Sequence, residues 1–454
     1  IPGSVESFFI RTMGEGAKLL ALVVALLVFL VLPGVYALFF RFFQSLLRRR
    51  WAVGALYTLG PATIALFLVL PLIGGGFLGT ETPAGPWSAA FSQLLGALLY
   101  AAILDYLLVE VSARYPRGFN LSRRQFIVGA VGATIAIGAA LYGFGALVGR
   151  KTRLVFSSVS QMLTKEVTPT EEFYTVTKNV IDPVVDATSW RLMVDGLVSD
   201  PRTYTYNELL DMADAQEHIT MECVSNEVGG ELISTARWGG IPLGEILGEA
   251  DPLAAADWVL FTSEDDYTAA IPRSKAVEPS TMLALKMNNE PLTVSHGFPA
   301  RIVVPGLYGM FSAKWLTRIT LVQGEYLGFW QAKGWTNQGE VRTTAIIATP
   351  PSDSVVEAPV TIGGVAFAGD RGISRVEVST DGGETWSDAV LKSPTLSNLT
   401  WVLWTFQWDP PRTGSYRILA RAVDGRGAPQ TPTGESPFPN GASGYDAVDL
   451  RVSL

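Results

Sequence analysis

The sequence predicts a multidomain chain of three parts: an α-helical transmembrane domain of about four spans over residues 1–150, an α+β domain over 151–345, and an immunoglobulin-like β-sandwich over 346–454. Three features of the sequence point there. The apolar residues behind a mean hydropathy of +0.28 crowd before position 150. After it, short strand-like runs interleave with helix-like stretches. From about Ala345 onward the strands follow one another closely, separated by Asp-Gly and Gly-Gly turns.

Four apolar runs, 19–40, 52–77, 87–109 and 126–148, approach or exceed the roughly 20 residues that cross a bilayer as a helix. A buried soluble bundle would need polar faces, which these runs lack. Arg41, Arg48, Arg49 and Arg50 lie between the first and second runs, and Arg114, Arg117, Arg123 and Arg124 between the third and fourth, whereas the 78–86 loop has no Lys or Arg. The positive-inside rule therefore places both basic loops in the cytoplasm, and the N-terminus and everything after Val148 on the extracytoplasmic side. Arg150, Lys151 and Arg153 oppose this orientation, but long translocated domains largely escape the charge rule. The expected localisation is a multi-pass cell-membrane protein with its soluble part outside.

The segment Ser122-Arg-Arg-Gln-Phe-Ile127 before a Gly- and Ala-rich run resembles a twin-arginine translocation signal, the address of an export route for folded proteins. It would be internal and uncleaved here; the competing reading is a pair of charge anchors. The chain begins at Ile1 without a Met, leaving room for residues before it.

In the α+β part, 190–198 and 301–304 read as strands and 206–215 as a helix. In the C-terminal part, Thr361-Ile-Gly-Gly364, Val376 to Trp386 with its Asp-Gly-Gly turn, and Tyr416 to Val423 read as sandwich strands. No repeat of 20 to 50 residues appears.

Cys223 is the only cysteine in 454 residues, so it has no disulfide partner within the chain, and a soft metal is one chemical reason to keep it. A lone cysteine is otherwise a small buried hydrophobe. It stands in His218-Ile-Thr-Met-Glu-Cys-Val-Ser-Asn-Glu-Val-Gly-Gly230, upstream of His296-Gly-Phe-Pro-Ala-Arg301 and Gly309-Met-Phe-Ser-Ala-Lys-Trp-Leu316. These segments together look like the sulfite oxidase family of molybdopterin-dependent oxidoreductases. The Ser-Thr-Asp-Gly-Gly-Glu-Thr-Trp386 and Trp401-Val-Leu-Trp404 stretches are similar to that family's C-terminal domain, which often mediates dimers. The resemblance runs from about Phe173 to the C-terminus and leaves the membrane part unmatched.

The resemblance implies a molybdenum–molybdopterin cofactor and a role for each matched residue. Cys223 would give its thiolate to molybdenum. His296 and Arg301 would hydrogen-bond the pterin and its phosphate, and Lys314 and Ser312 would bring a cation and a hydroxyl to the same anion. Tyr174, Thr175 and Asn179 occupy the place of the family's first cofactor-contacting loop. Ser263 is a weaker candidate, read otherwise as a loop hydroxyl. Asn226 and Glu227 follow the cysteine where sulfite oxidases carry Asn and then arginines, which places both among the catalytic candidates. Glu227 would repel a sulfite dianion. Trp335, in Gly328-Phe-Trp-Gln-Ala-Lys-Gly-Trp335, falls near the position of the family's active-site tyrosine. Sulfite oxidation and reduction of a sulfoxide or N-oxide stay open at this point.

With one Cys and two His, His218 and His296, both in the soluble part, the chain is expected to carry neither haem nor an iron–sulfur cluster. His218 reads as structural, and Asp105 in the third run as a snorkelling acid. Electrons would then pass to a cytochrome or a quinone-linked membrane subunit; lipid, a small-molecule substrate and a second copy through the C-terminal domain complete the expected partners. A net charge of −8 argues against nucleic acid. The alternative reading is a non-enzymatic structural or assembly subunit of a membrane complex that keeps this fold.

Overall fold

The computed structural model describes residues 153–453 except Val180, together with the single residue Leu95. The four predicted spans, Leu95 apart, and the twin-arginine segment lie outside the described residues. The chain divides into residues 1–150 and 151–454. No helix among the described residues is long and apolar enough to cross a membrane.

The second unit begins with a short helix, α1 (Val159–Thr164), capped by the Ser158 hydroxyl accepting from Gln161 N. The α+β part follows as β1 (Arg191–Gly196), β2 (Arg202–Thr205), α2 (Tyr206–Met212), β3 (Ala215–Glu222), β4 (Ile233–Pro242), α3 (Leu243–Glu249), β5 (Trp258–Ser263), β6 (Thr268–Pro272), α4 (Arg273–Ala276), β7 (Met282–Met287), β8 (Glu290–Pro291), β9 (Arg301–Val303) and β10 (Leu316–Val322). One sheet has the order β2-β1-β10-β5-β6; the other runs β3-β4-β7-β8 with β9 also paired to β7. The sandwich comprises β11 (Thr344–Thr349), β12 (Val355–Glu357), β13 (Val360–Phe367), β14 (Ile373–Ser379), β15 (Ser387–Asp388), β16 (Val390–Leu391), β17 (Val402–Trp408), β18 (Gly414–Asp424) and β19 (Asp446–Ser453). Its sheets are β11-β13-β17-β16 and β12-β19-β18-β14-β15.

Three expectations shift in detail. The helix expected over 206–215 starts with a Thr205/Glu208 capping box but stops at Met212, because Ala213 turns extended and Ala215 opens β3. The strand expected over 376–386 ends at Ser379, where Asp381 accepts from Thr385 N at 2.9 Å and turns the chain. Ser263, read as a loop residue, is instead the last residue of β5 and is buried, held to the Tyr267 carbonyl through its own N–H.

The sheet that carries the motif is covered on both faces. Ile219 and Met221 of β3 pack into one apolar cluster with Trp238, Met282 and Val303, while Val224 and Ile233 join the main core with Leu285 and Ile302. That main core continues into the sandwich through Ile346, Phe367, Trp401 and Leu403, so one continuous apolar layer joins the sandwich to the α+β part. The other sandwich face holds its own core around Trp404, Val376 and Ile418.

Candidate active site

Cys223 sits just past the end of β3, buried, at the start of a loop that returns to β4. Its N–H donates to the Leu232 carbonyl at 2.9 Å, its carbonyl accepts from Asn226 N at 2.9 Å, and its Sγ lies 3.0 Å from the Ser225 hydroxyl. The loop is tied inside by Asn226, whose Nδ2 donates to Glu222 Oε1 at 3.0 Å and whose Oδ1 accepts from Leu232 N at 3.0 Å. Both ends of the Asn226 amide thus serve the loop's shape. Glu227 is half-buried in the same loop, with its carbonyl accepting from Gly230 N.

Arg301, first residue of β9, is buried beside this loop. Its Nη1 donates to the His296 carbonyl at 3.1 Å and its Nη2 to the Ser312 carbonyl at 3.2 Å, and the guanidinium stacks 5.0 Å above the Trp238 ring. Among the described residues no carboxylate pairs with it, and its Nε has no partner. Burial holds its pKa down, to about 10, against the pull of Tyr174. A buried cation with only neutral acceptors and an unused N–H is what an anionic ligand completes.

His296 is buried, with Nε2 2.9 Å from the Thr170 carbonyl and its ring edge-on to Phe173. Burial, seconded by the cationic Arg301 and Lys314, pulls its pKa down to about 4, so at neutral pH it is uncharged and Nε2–H donates to Thr170. The Ser312 hydroxyl accepts from Val304 N at 3.1 Å. Lys314 donates to the Ser295 carbonyl at 2.9 Å and lies over the Trp315 ring. The structure therefore gathers His296, Arg301, Ser312 and Lys314 around the 294–316 turns.

From the third side comes the segment before β1. Tyr174 is anchored through its N–H to the Ser234 hydroxyl at 3.2 Å. Its phenol reaches toward Gly309, where an added Cβ would come 2.6 Å from the hydroxyl oxygen, a close approach that requires glycine. Burial, then the Cys223 thiol, raise its pKa well above the ordinary tyrosine value. Thr175 is exposed, and Asn179 turns to Asp265, donating to Oδ2 at 2.8 Å. The buried Ser263 hydroxyl has no partner among the described residues.

Three further groups around the thiol were not singled out from the sequence. Glu222, directly before Cys223, is buried with Oε2 unpartnered, and burial pushes its carboxyl up to about 7. Tyr267 donates to the Met310 carbonyl at 2.5 Å, and Tyr308 accepts from Arg342 N at 3.2 Å, keeping its own proton to donate. Burial raises both phenols, and the Cys223 thiol adds to the rise in each. All three phenols, Tyr174 included, therefore keep their protons at neutral pH. Trp335 is buried instead against the Phe438 ring, 5.1 Å edge-on.

Comparison with known proteins gives the family and the fold. Residues 179–330 match the oxidoreductase molybdopterin binding domain and residues 336–435 the Mo-co oxidoreductase dimerisation domain. The chain is 32% identical over 308 residues to the sulfite oxidase of Gallus gallus, covering 57% of this chain and 66% of that protein. It is 30% identical over 269 residues to a nitrate reductase [NAD(P)H] of Hordeum vulgare, covering 47% of this chain and 30% of the relative. The crystal structure of the sulfane dehydrogenase SoxCD from Paracoccus pantotrophus has the same fold, with a TM-score of 0.56 at 23% identity over 63% of this chain and 84% of that one.

Proposed function

We propose that this chain, an enzyme of the sulfite oxidase family of molybdopterin-dependent oxidoreductases by its two matched domains, is anchored in the cell membrane through residues 1–150, works on the extracytoplasmic side, and passes electrons to a separate cytochrome or quinone-linked subunit. The observation that carries the chemistry is a buried Cys223 just past β3 together with a buried, incompletely partnered Arg301 whose Nη2 reaches the Met221 sulfur of the same strand. When bound, a molybdenum–pterin group would supply two-electron oxo transfer, one oxygen atom moving to or from the substrate. Cys223, the only cysteine of the sequence, would be its thiolate ligand. Arg301, Lys314 and Ser312 would hold its anionic end, and His296, uncharged at neutral pH, would keep the Thr170 segment against them. Tyr174, Tyr267 and Tyr308 stay protonated at neutral pH, and apolar clusters cover both faces of the sheet that carries β3 and β4.

Glu227 follows the thiol in place of an arginine, so a sulfite dianion is disfavoured relative to an uncharged oxygen donor or acceptor. Two copies would associate through residues 336–435, the matched dimerisation domain.

Metal analysis of the purified full chain, with the pterin released and identified, tests the cofactor. Arg301→Ala should lose the pterin, since a hydrogen bond to a charged group contributes about 1.5–3 kcal/mol. Protein free of molybdenum from a host that makes the cofactor would end this reading. Protease added to right-side-out vesicles should release a fragment of roughly the last 300 residues, as the charge rule requires; protection of that fragment would overturn the placement.

A further inference from the structure

Arg153 lies three residues beyond Arg150, where the first unit ends. Its Nη2 donates to both oxygens of Asp446, at 2.8 and 2.7 Å, and the Asp446 side chain is 1% exposed. Asp446 is in turn fixed in the sandwich, Oδ2 accepting from Ile347 N and Oδ1 from Ala447 N, each at 2.9 Å. On its other side the same short stretch grips the Cys223 loop. Arg153 forms an antiparallel bridge with Gly230, and Leu154 N donates to the Gly229 carbonyl at 3.1 Å. Gly229, at φ +76°, is pressed against the ion pair: an added Cβ would lie 2.5 Å from Asp446 Oδ1 and 2.7 Å from Arg153 Nη1.

We infer that the Arg153–Asp446 pair is a clamp that positions the Cys223 loop, making both residues positioning residues for the thiol. The Cys223–Leu232 and Asn226 bonds close the neck of the loop, but Gly229 and Gly230 at its far end have the widest backbone freedom of any residue. The clamp removes that freedom by pinning both glycines between the chain leaving the first unit and the sandwich. A reacting group displaced by about 1 Å can lose rate by about 10²-fold, which is why such a loop would be held from outside.

This inference does not depend on the identity of any metal or substrate, and its test separates the two. Cys223 is the only cysteine of the sequence, so a maleimide reports on this loop alone. The full chain is produced in a host unable to make the pterin, and labelling rates and melting temperatures are measured together. Arg153→Ala and Asp446→Asn should speed labelling of this buried thiol by about tenfold or more, through local opening. Arg153→Lys, which keeps the charge but lacks the Nη1 that packs against Gly229, should fall between. Lys392→Ala breaks another ion pair of the same N-terminal stretch with the sandwich, to Glu166, away from the loop, and should leave the rate unchanged. An unchanged rate in Arg153→Lys and Arg153→Ala, or an equal increase in Lys392→Ala, would overturn the clamp.

Discussion

The two halves of the described chain treat buried polar groups in opposite ways. In the sandwich Asp424 accepts from Arg371 Nε at 2.9 Å, Arg426 N at 3.0 Å and Ala428 N at 2.8 Å, and Gln430 bridges Ala422 N and the Gly444 carbonyl. Asp446 is likewise saturated by Arg153, Ile347 and Ala447. In the α+β part, Glu222 Oε2, Ser263 Oγ, Arg301 Nε and Gln331 Oε1 are buried with no partner among the described residues. Buried polar atoms are nearly always hydrogen-bonded, so a concentration of exceptions in one half marks where the fold leaves work for a ligand. The saturated half is scaffold. Trp404 Nε1 is the exception on the sandwich side, and nothing in the structure explains it.

The largest effect that could break this comparison is at Cys223. Serine keeps the size and the contact with Ser225 but replaces a soft thiolate with a hard, protonated hydroxyl, so Cys223→Ser should lose turnover completely while pterin content stays near that of the parent. Pterin lost along with turnover would mean that the thiol, and not the Arg301 side, retains the cofactor.

How far the sequence announces these groups depends on what makes them buried. Cys223, His296 and Arg301 are legible because they stand in short motifs with fixed neighbours. Glu222 is next to the most informative residue in the chain and still gives no signal. Period-two alternation would turn either Met221 or Glu222 outward, yet the last four residues of β3 are all buried, because apolar clusters cover both faces of its sheet. Tyr267 and Tyr308, whose pKa values rise partly through Cys223, come from a hairpin and a turn far apart in sequence, which no local pattern encodes. Arg153 and Asp446 are separated by 293 positions, and Arg153 reads from sequence as one more charge near a membrane boundary. The sandwich strands, by contrast, are marked by the Asp-Gly-Gly turn after β14, where the Asp381 carboxylate makes the turn itself.

The comparison sharpens if the same kind of substitution has opposite signs in the two halves. Asp446→Ala removes a buried acceptor from the partly exposed Arg153 and from Ile347 N and Ala447 N, and should cost about 1–3 kcal/mol, read as a fall in denaturation midpoint. Arg301→Met in the molybdenum-free chain removes a buried charge whose partners are incomplete. It should be neutral or stabilising by about 1–4 kcal/mol, even though it abolishes pterin binding. A large loss of stability from Arg301→Met would show that the guanidinium is already satisfied by the His296 and Ser312 carbonyls.

The smallest effect concerns pH, because two buried groups of the unsaturated half pull stability in opposite directions. Glu222 has its carboxyl raised from 4.5 to about 7, so the folded chain holds a proton that the unfolded chain releases, and stability falls as pH rises between those values. His296 is lowered from 6.5 to about 4, so the unfolded chain gains a proton first and stability falls as pH drops through that window. From pH 4.5 to 6.5 the two slopes, each at most about 1.4 kcal/mol per pH unit, oppose and largely cancel. Melts of the molybdenum-free parent should therefore change little with pH there. Glu222→Gln keeps the oxygen that accepts from Asn226 but no longer titrates, so it exposes the His296 slope: the variant should lose stability steadily on acidification, on the order of 1 kcal/mol per pH unit. The double variant Glu222→Gln with His296→Asn should be flat again. Identical slopes in parent and Glu222→Gln would show that Glu222 meets water or a partner that relieves its burial, and the contrast between the two halves would then rest on Arg301, Ser263 and Gln331.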